Sequence, residues 1–200
     1  MSPAMGAPSQ PARRARELDE VTLARAQRGE AAACRALVEA YQHPVFALLS
    51  RLLGPSGRAG LVEDLAQETF LRAFRALPAF DRAGRARLST WILTIATRLA
   101  LDELRRPRLA TEPFDLASAV VPGPARADAD LERGTLRAAL RRAISDLTPE
   151  YRAAFLLREL HELGYDEIAR ALGIDMGTVK SRLARARAAL RAALGEVHDE

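Results

Sequence analysis

Apolar residues recur at intervals of three and four along most of the chain, and this spacing predicts an all-α protein. Breaks fall where glycine and proline cluster, as in the segment Gly54–Gly57. Helix entrances carry the expected residue types, for example Thr148 followed by Pro149. The helices predicted in the first half of the chain span residues 19–29, 30–53, 61–77 and 89–106.

The helical pattern is interrupted over residues 107–130, where proline, alanine and acidic residues dominate and no apolar face can be drawn. It returns over 131–194. We therefore predict two small helical domains, residues 17–106 and 131–194, joined by a flexible linker. The tails 1–16 and 195–200 are expected to lie outside them, the first of these disordered.

The second half contains the pattern of a helix-turn-helix between Tyr165 and Arg187. Gly173 lies where the first helix must end and turn, a position that favours a residue without a Cβ atom. Ala169 is small enough to let the two helices approach, and Val179 can anchor the second helix, which is expected to begin near Gly177 and Thr178.

The second helix of this motif has two distinct faces. Val179, Leu183, Ala186 and Leu190 are spaced to pack inward. The stretch from Met176 to Leu194 contains no acidic residue. A basic helix face is often only solvated, but after this turn it indicates a helix that reads DNA. The outward positions are Lys180, Ser181, Ala184 and Arg185, flanked by Arg182 and Arg187.

Composition narrows the function classes. The net charge of +4 and an isoelectric point near 9.9 permit a polyanionic partner. Cys34 is the only cysteine and there are three histidines, so neither an intrachain disulfide nor zinc-ligand spacing is expected, and no cofactor or metal is predicted. No apolar run is long enough to insert into a membrane and no signal peptide is visible, so a cytoplasmic location is expected.

The first half adds a second candidate surface. The predicted helix over 61–77 has an apolar face and an opposite face rich in Glu, Asp and Gln. It is followed by a short basic loop that leads into a helix carrying Trp91. Arginines beside an aromatic residue are typical of single-strand binding. A core position for Trp91 is favoured over direct base stacking, so the arginines carry this hypothesis.

The sequence contains, in this order, the blocks Glu63–Phe74, Arg85–Ala96, Leu99–Arg106 and Gly164–Arg187. Together these four blocks resemble the extracytoplasmic-function subgroup of bacterial RNA polymerase sigma factors. The resemblance covers about residues 17–194, and because four blocks agree in order it is more specific than the helix-turn-helix alone.

The resemblance implies an alternative sigma factor that binds core RNA polymerase and promoter DNA, promotes strand opening and is held by an anti-sigma factor. It implies contacts with the clamp helices of the largest polymerase subunit by Asp64, Gln67, Glu68 and Arg72. It implies −10 recognition, with capture of a flipped base, by Arg82, Arg85, Arg87, Trp91 and Arg98. It implies −35 recognition by Thr178, Lys180, Ser181, Arg182, Ala184, Arg185 and Arg187.

The chain departs from the family pattern at two of these positions. Arg98 stands where the family often has an asparagine, and this puts the preferred −10 base in doubt. Ala184 stands where a larger residue is common on the reading helix, which would weaken one −35 contact.

Two other classes of protein fit the sequence less well. A stand-alone helix-turn-helix regulator would bind its operator without polymerase, but it leaves the polar face of the helix over 61–77 without a role. An enzyme is disfavoured, because His161-Glu-Leu-Gly-Tyr165 begins like a zinc-protease helix but has Tyr165 in place of the second histidine.

Overall fold

A computed structural model of the chain describes residues 17–81, 84, 86–107 and 129–195, without the side chains of 129–136. All regular structure within these ranges is helical, which confirms the all-α prediction. The predicted tail 1–16, most of the linker 107–130 and residues 196–200 lie outside the described residues, so those domain boundaries stay predictions. The α-helices are α1 (Glu20–Gln27), α2 (Ala31–Leu53), α3 (Val62–Ala76), α4 (Leu88–Arg105), α5 (Ala129–Asp146), α6 (Pro149–Glu159), α7 (Tyr165–Leu172) and α8 (Met176–Gly195).

The helix ends agree closely with the sequence pattern. Helix α6 begins at Pro149 with Thr148 as its N-cap residue, as predicted. Helix α3 ends at Ala76, and a single 3₁₀ turn over Leu77–Ala79 takes up Pro78. Helix α4 begins at Leu88, one residue before the predicted start at Ser89. The carboxylate of Glu17, far away in sequence, accepts hydrogen bonds at this start.

The first half is built around α2, which packs against α1, α3 and α4. Its side chains Leu37, Tyr41 and Leu48 are completely or almost completely buried. Burial of this kind is the main source of stability for short helices, which are marginal alone. Arg58 caps the C-terminal end of α4, because its guanidinium donates to the carbonyl oxygens of Glu103 and Arg106.

The second half packs α6, α7 and α5 against α8. Arg152 in α6 is buried, with only 4% of its surface exposed. Its guanidinium donates to the carbonyl oxygens of Ile144, Ser145 and Leu147 at the end of α5. A helix end presents carbonyls that have no partner within the helix, and a cation is favoured there. Arg152 therefore fixes the end of α5.

The two halves are in contact. Helix α7 lies along α4, and α6 contacts both α2 and α4. Arg152 also donates to the carbonyl oxygen of Leu52, in α2, at 2.9 Å. At the other side of the interface, Thr90 Oγ1 donates to Glu167 Oε1 at 2.8 Å. One continuous cluster of buried apolar side chains includes residues from both halves.

Replacement of Arg152 by methionine tests how much this buried cation contributes. The Arg152→Met side chain keeps most of the volume but removes the guanidinium donor from four carbonyl oxygens, those of Leu52, Ile144, Ser145 and Leu147. Hydrogen bonds to a charged group contribute about 1.5–3 kcal/mol each and act here as one unit, so we expect the free energy of unfolding to fall by about 2–4 kcal/mol.

Urea denaturation measures this change. Arg142→Met, at an exposed position of α5, is the matched control and should shift the free energy of unfolding by less than about 0.5 kcal/mol. Equal effects of the two substitutions would show that Arg152 does not hold the helix ends together.

Candidate nucleic-acid interface

Helices α7 and α8 form the predicted helix-turn-helix. Gly173 closes α7 with φ of 66° and ψ of 38°, the left-handed conformation that disfavours residues with a Cβ atom. The chain is fixed after this turn by a hydrogen bond from Ile174 N to Ala169 O at 3.0 Å. The role predicted for Gly173 is confirmed.

The start of α8 is fixed by Asp175. Its carboxylate accepts from the backbone N–H of Thr178 at 2.8 Å and from the Thr178 hydroxyl at 2.5 Å. These two hydrogen bonds, the side-chain one foremost, hold the pKa of Asp175 below its usual value. Helix α8 therefore begins at Met176, just before the predicted Gly177–Thr178. Thr178, expected to contact DNA, serves as the partner of this cap.

Helix α8 presents one face to the core and one to solvent. The side chains of Val179, Leu183, Ala186 and Leu190 are buried, as the spacing predicted. The structure brings the predicted DNA-reading residues together on the other side. Lys180, Ser181, Ala184 and Arg185 are exposed, and Thr178, Arg182 and Arg187 are half-buried.

Two arginines of α8 are held by the helix beneath. Arg185 Nη1 donates to the Tyr151 hydroxyl at 2.9 Å, and Arg187 Nη2 pairs with Glu159 Oε1 at 2.8 Å. These partners raise the pKa of both guanidinium groups. A guanidinium carries five N–H donors, so such a contact orients the group and still leaves donors for phosphate or base edges.

Helix α3 carries the second predicted surface. Asp64, Gln67 and Arg72 are exposed and Glu68 is half-buried. Glu68 Oε1 accepts from Arg72 Nε at 2.6 Å, one helical turn away. The four residues therefore lie on the side of α3 opposite its buried side chains, as the sequence pattern predicts.

Sequence reasoning missed Leu71 on this surface. It is 42% exposed and lies three and four residues after Glu68 and Gln67, so it belongs to the same face of α3. The available signal was a leucine at a position where the helical period requires a polar residue. A single exposed leucine is common on protein surfaces, so Leu71 bears on binding only because it lies among the predicted polymerase contacts.

Among the described residues, the predicted −10 set is represented by Arg87, Trp91 and Arg98, and these three differ in their surroundings. Trp91 is half-buried and packs against Phe80, with ring centroids 5.0 Å apart and an angle of 42° between the planes. This agrees with the core position favoured for Trp91 over base stacking. Arg87 is exposed just before α4. Arg82 and Arg85 lie outside the described residues.

Arg98 lies on the side of α4 that faces α7. Its Nε donates to the carbonyl oxygen of Ala171 at 3.0 Å, and its Nη2 donates to that of Arg170 at 2.9 Å. These carbonyls belong to the last turn of α7, where a cation is favoured. In this conformation the Arg98 side chain stays exposed and joins the two halves through its Nε and Nη2 groups.

His161 lies in the connection between α6 and α7, since α7 begins only at Tyr165. The segment therefore has no helix on which a zinc-protease motif could be built. The ring is buried, and its Nε2 has no hydrogen-bond partner among the described residues. Within the described ranges, no three His, Cys, Asp or Glu side chains are grouped so as to hold a metal ion.

Hydropathy along the described helices identifies none that is long and apolar enough to cross a bilayer.

Comparison with protein families gives two matches. Residues 37–109 match Sigma-70 region 2 and residues 137–190 match Sigma-70, region 4. The ECF RNA polymerase sigma-E factors of Salmonella typhimurium and Escherichia coli K12 are each 37% identical over 184 residues, covering 86% of this chain and 92% of the relative. The ECF RNA polymerase sigma factor SigE of Mycolicibacterium smegmatis is 36% identical and covers 78% of this chain and 59% of the relative.

Solved structures agree with these matches. CnrH in complex with the cytosolic domain of CnrY has a TM-score of 0.58 and 25% identity, covering 88% of this chain and 96% of that one. The sigma factor RpoE of Bartonella quintana, in complex with the anti-sigma factor NepR, has a TM-score of 0.55 and 26% identity, covering 76% and 92%. The chain belongs to the sigma-70 family, in its ECF group of RNA polymerase sigma factors.

The buried His161 predicts a pH dependence of stability. Burial, with the positive charge of Arg51, lowers the pKa of His161 from 6.5 to about 4. Arg87 and Glu167 are the charged residues on the other sides of its cavity. As the pH falls below 6.5, the unfolded chain binds a proton that the folded chain accepts only near pH 4. The free energy of unfolding should therefore fall by about 1.4 kcal/mol per pH unit in this window.

Urea denaturation between pH 7.5 and pH 5 measures the effect. His161→Leu should remove this part of the pH dependence, because leucine cannot titrate. The matched control is His43→Leu at an exposed position of α2, which should leave the dependence as it is. A slope that His161→Leu does not alter would contradict the lowered pKa.

Proposed function

We propose that this chain is an alternative sigma factor that binds core RNA polymerase, recognises the −35 and −10 elements of its promoters and promotes strand opening. The observation that carries the proposal is the exposed face of α8. It follows a helix-turn-helix bend at Gly173, contains Lys180 and Arg185, and has no acidic residue between Met176 and Leu194. Membership of the ECF group supports the same function.

The −35 element would be read as duplex DNA by α8. Lys180, Ser181 and Arg185 lie on its exposed side, at positions that can reach base edges in the major groove. A good bidentate contact distinguishes bases by about 1–3 kcal/mol. Arg182 and Arg187 would contact phosphates and contribute affinity without sequence preference. Ala184 offers only a methyl group, so the base opposite it would be read weakly.

Polymerase would dock on the exposed face of α3. Asp64, Gln67, Glu68 and Arg72 supply a polar rim, and Leu71 supplies an apolar centre that can be buried on contact. Interfaces of this composition derive affinity from the apolar centre and orientation from the charged rim.

The −10 strand would be read by the arginines before α4 and by the face of α4 that carries Arg98. In the structure the two halves are packed together, which we call the closed arrangement. In it α7 lies on that face, and Arg98 is bound to α7 carbonyls. The −35 reader α8 and the −10 reader α4 lie on different halves of the chain, which we assign to residues 131–194 and 17–106. Reading both promoter elements therefore requires the two halves to separate on polymerase. Unstacking a −10 base costs a few kcal/mol, which specific contacts in the open complex would offset.

An anti-sigma factor is the expected regulator. The Bartonella quintana neighbour was solved in complex with an anti-sigma factor. We propose that a protein of this kind binds the present chain and competes with polymerase. The chain would act in the cytoplasm, where polymerase and promoters are found. Bond chemistry would belong to polymerase alone, so the chain itself would not be an enzyme.

Run-off transcription tests the function directly. Core polymerase is mixed with a pool of genomic promoter fragments, with and without this chain. New transcripts that share two spaced upstream elements are the expected result. Retarded DNA with the chain alone, and no association with core polymerase, would instead identify a stand-alone helix-turn-helix regulator.

Reversing the charge on α3 separates polymerase binding from DNA reading. The double variant Asp64→Lys, Glu68→Lys should abolish binding to core polymerase. It replaces two acidic groups on the docking face by basic ones, which a surface of complementary charge on polymerase would repel, and it breaks the Glu68–Arg72 pair. Binding is measured by fluorescence anisotropy of the labelled chain. The control carries Glu39→Lys and Asp102→Lys, two exposed acids on other helices, and should bind normally. Unchanged affinity of the α3 variant would show that this face is only solvated.

Arg185→Ala tests the reading helix. It should lower transcription from promoters that depend on the −35 element by about 5- to 150-fold, corresponding to loss of a contact that distinguishes bases by about 1–3 kcal/mol. Binding to core polymerase should be unchanged. The matched control is Arg142→Ala on α5, which removes an exposed arginine that does not belong to the reading helix. Loss of core binding in Arg185→Ala would contradict the division of tasks between the two halves.

A further inference from the structure

Helix α1 and the segment before it contact the residues that flank the basic loop between α3 and α4. Gln27, at the end of α1, reaches the residues before the loop. Glu17, before α1, reaches the first turn of α4 after the loop. Both contacts join segments more than 49 residues apart in sequence, and local sequence patterns predict neither of them.

Gln27 holds the backbone just before the loop. Its side-chain amide Nε2 donates to the carbonyl oxygen of Leu77 at 3.1 Å and to that of Phe80 at 2.8 Å. Leu77 begins the 3₁₀ turn that follows α3, Phe80 comes directly after it, and the Leu77 carbonyl also accepts from the Phe80 N–H at 3.0 Å. The position of Phe80 is therefore tied to α1.

Glu17 holds the beginning of α4. Its carboxylate accepts from the backbone N–H groups of Leu88 and Ser89, at 3.2 and 3.3 Å, and from the Ser89 hydroxyl. A carboxylate at this end of a helix satisfies otherwise unpaired N–H groups and is favoured by the helix dipole. Residue 87, the local N-cap position, is an arginine and makes no such side-chain hydrogen bond. Glu17 thus supplies from a distance the cap that the local sequence lacks.

A cavity of about 250 Å³ lies between these two contacts. Glu17, Leu18 and Leu23 line it from the N-terminal side, and Phe80, Arg87 and Leu88 line it from the other. Leu18 is itself fixed, because its N–H donates to the hydroxyl of the buried Tyr41 at 3.1 Å. The wall formed by the N-terminal segment is therefore tied to the core of the first half.

We infer that Glu17 and Gln27 are positioning residues for −10 recognition, holding Phe80, Arg87 and the first turn of α4 in the arrangement that receives the −10 strand. The inference rests on the proposed function of the chain as a sigma factor. Neither side chain needs to touch DNA. Each acts through a backbone group beside residues that would do so.

Hydrogen–deuterium exchange of the full chain tests the positioning contacts without DNA. Glu17→Ala should raise the exchange rates of the Leu88 and Ser89 amides by about 3- to 30-fold, as expected for loss of a helix cap. Glu17→Gln, which keeps a carbonyl acceptor without the charge, should give a smaller increase. Rates that stay as in the parent chain would overturn the inference whatever the promoter results.

Transcription with core polymerase tests the consequence for promoter reading. On a promoter found by the run-off experiment, Glu17→Ala and Gln27→Leu should lower transcription from the duplex by about 3- to 30-fold. They should also reduce the preference for the natural −10 base over a substituted one. Binding to core polymerase should be unaffected, and a template already unpaired at −10 should recover much of the lost activity.

Arg58→Gln is the matched control for a merely structural role. Arg58 binds the carbonyls at the opposite end of α4, so its loss should also lower the unfolding temperature. It should leave −10 base preference unchanged, because the first turn of α4 stays in place. A second control, Gln42→Leu, changes an exposed glutamine of α2.

The possible failures are distinct. If the parent chain gives transcripts and the Glu17 and Gln27 variants keep full −10 preference, the positioning role is overturned and the sigma function stands. Equal loss of preference in Arg58→Gln would likewise overturn it, because general destabilisation of α4 would then explain the effect. If the parent chain gives no transcript and does not bind core polymerase, the proposed function fails and the positioning role for −10 reading fails with it.

Discussion

The arrangement of the helices depends on a buried cation placed where helix ends meet. Arg152 satisfies carbonyl groups at the end of α5 and at Leu52 in α2, so one side chain fixes helices of both halves. Burying a charge is unfavourable unless its donors are satisfied, and here the guanidinium N–H groups donate to carbonyl oxygens near helix ends. Arg58 at the end of α4 and Arg98 at the end of α7 repeat the same device. An arginine-rich, nearly lysine-free chain suits this use, because the planar guanidinium can bind several carbonyls at once.

The same contacts create a conflict between packing and DNA reading. The reading face of α8 is free of the first half in the closed arrangement, whereas α7 packs along α4 and its carbonyl oxygens bind Arg98. Glu167 adds to this closure, because its carboxylate accepts both from Gly164 N in its own helix and from Thr90 in α4. A duplex element could therefore be contacted before a single-stranded one. This order would suit a factor that should open DNA only when polymerase is present.

The sequence predicts local features of this molecule well and remote contacts poorly. Helical periodicity identified the helices, the inward residues of α8 and the bend at Gly173, because each depends on neighbours within a few residues. Periodicity contains no information on the partner of a polar side chain across the fold. Glu17 caps a helix that begins 71 residues later, and Arg98 binds a carbonyl 73 residues away. The resemblance to a family suggested a DNA contact for Arg98, but only the fold shows its present partner.

The continuous apolar cluster shared by the two halves has a thermal consequence. Separating the halves transfers apolar surface to water, and such a transfer increases the heat capacity. The free energy of separating the halves, from the closed form with packed halves to an open form, must then be a curved function of temperature. The closed form loses stability on cooling as well as on strong heating. On cooling, a ligand that binds the open form would bind more tightly, because opening the chain would cost less free energy. A ligand that binds the closed form would bind less tightly. The ambient temperature would therefore bias the competition between polymerase and an anti-sigma factor that favours the closed form.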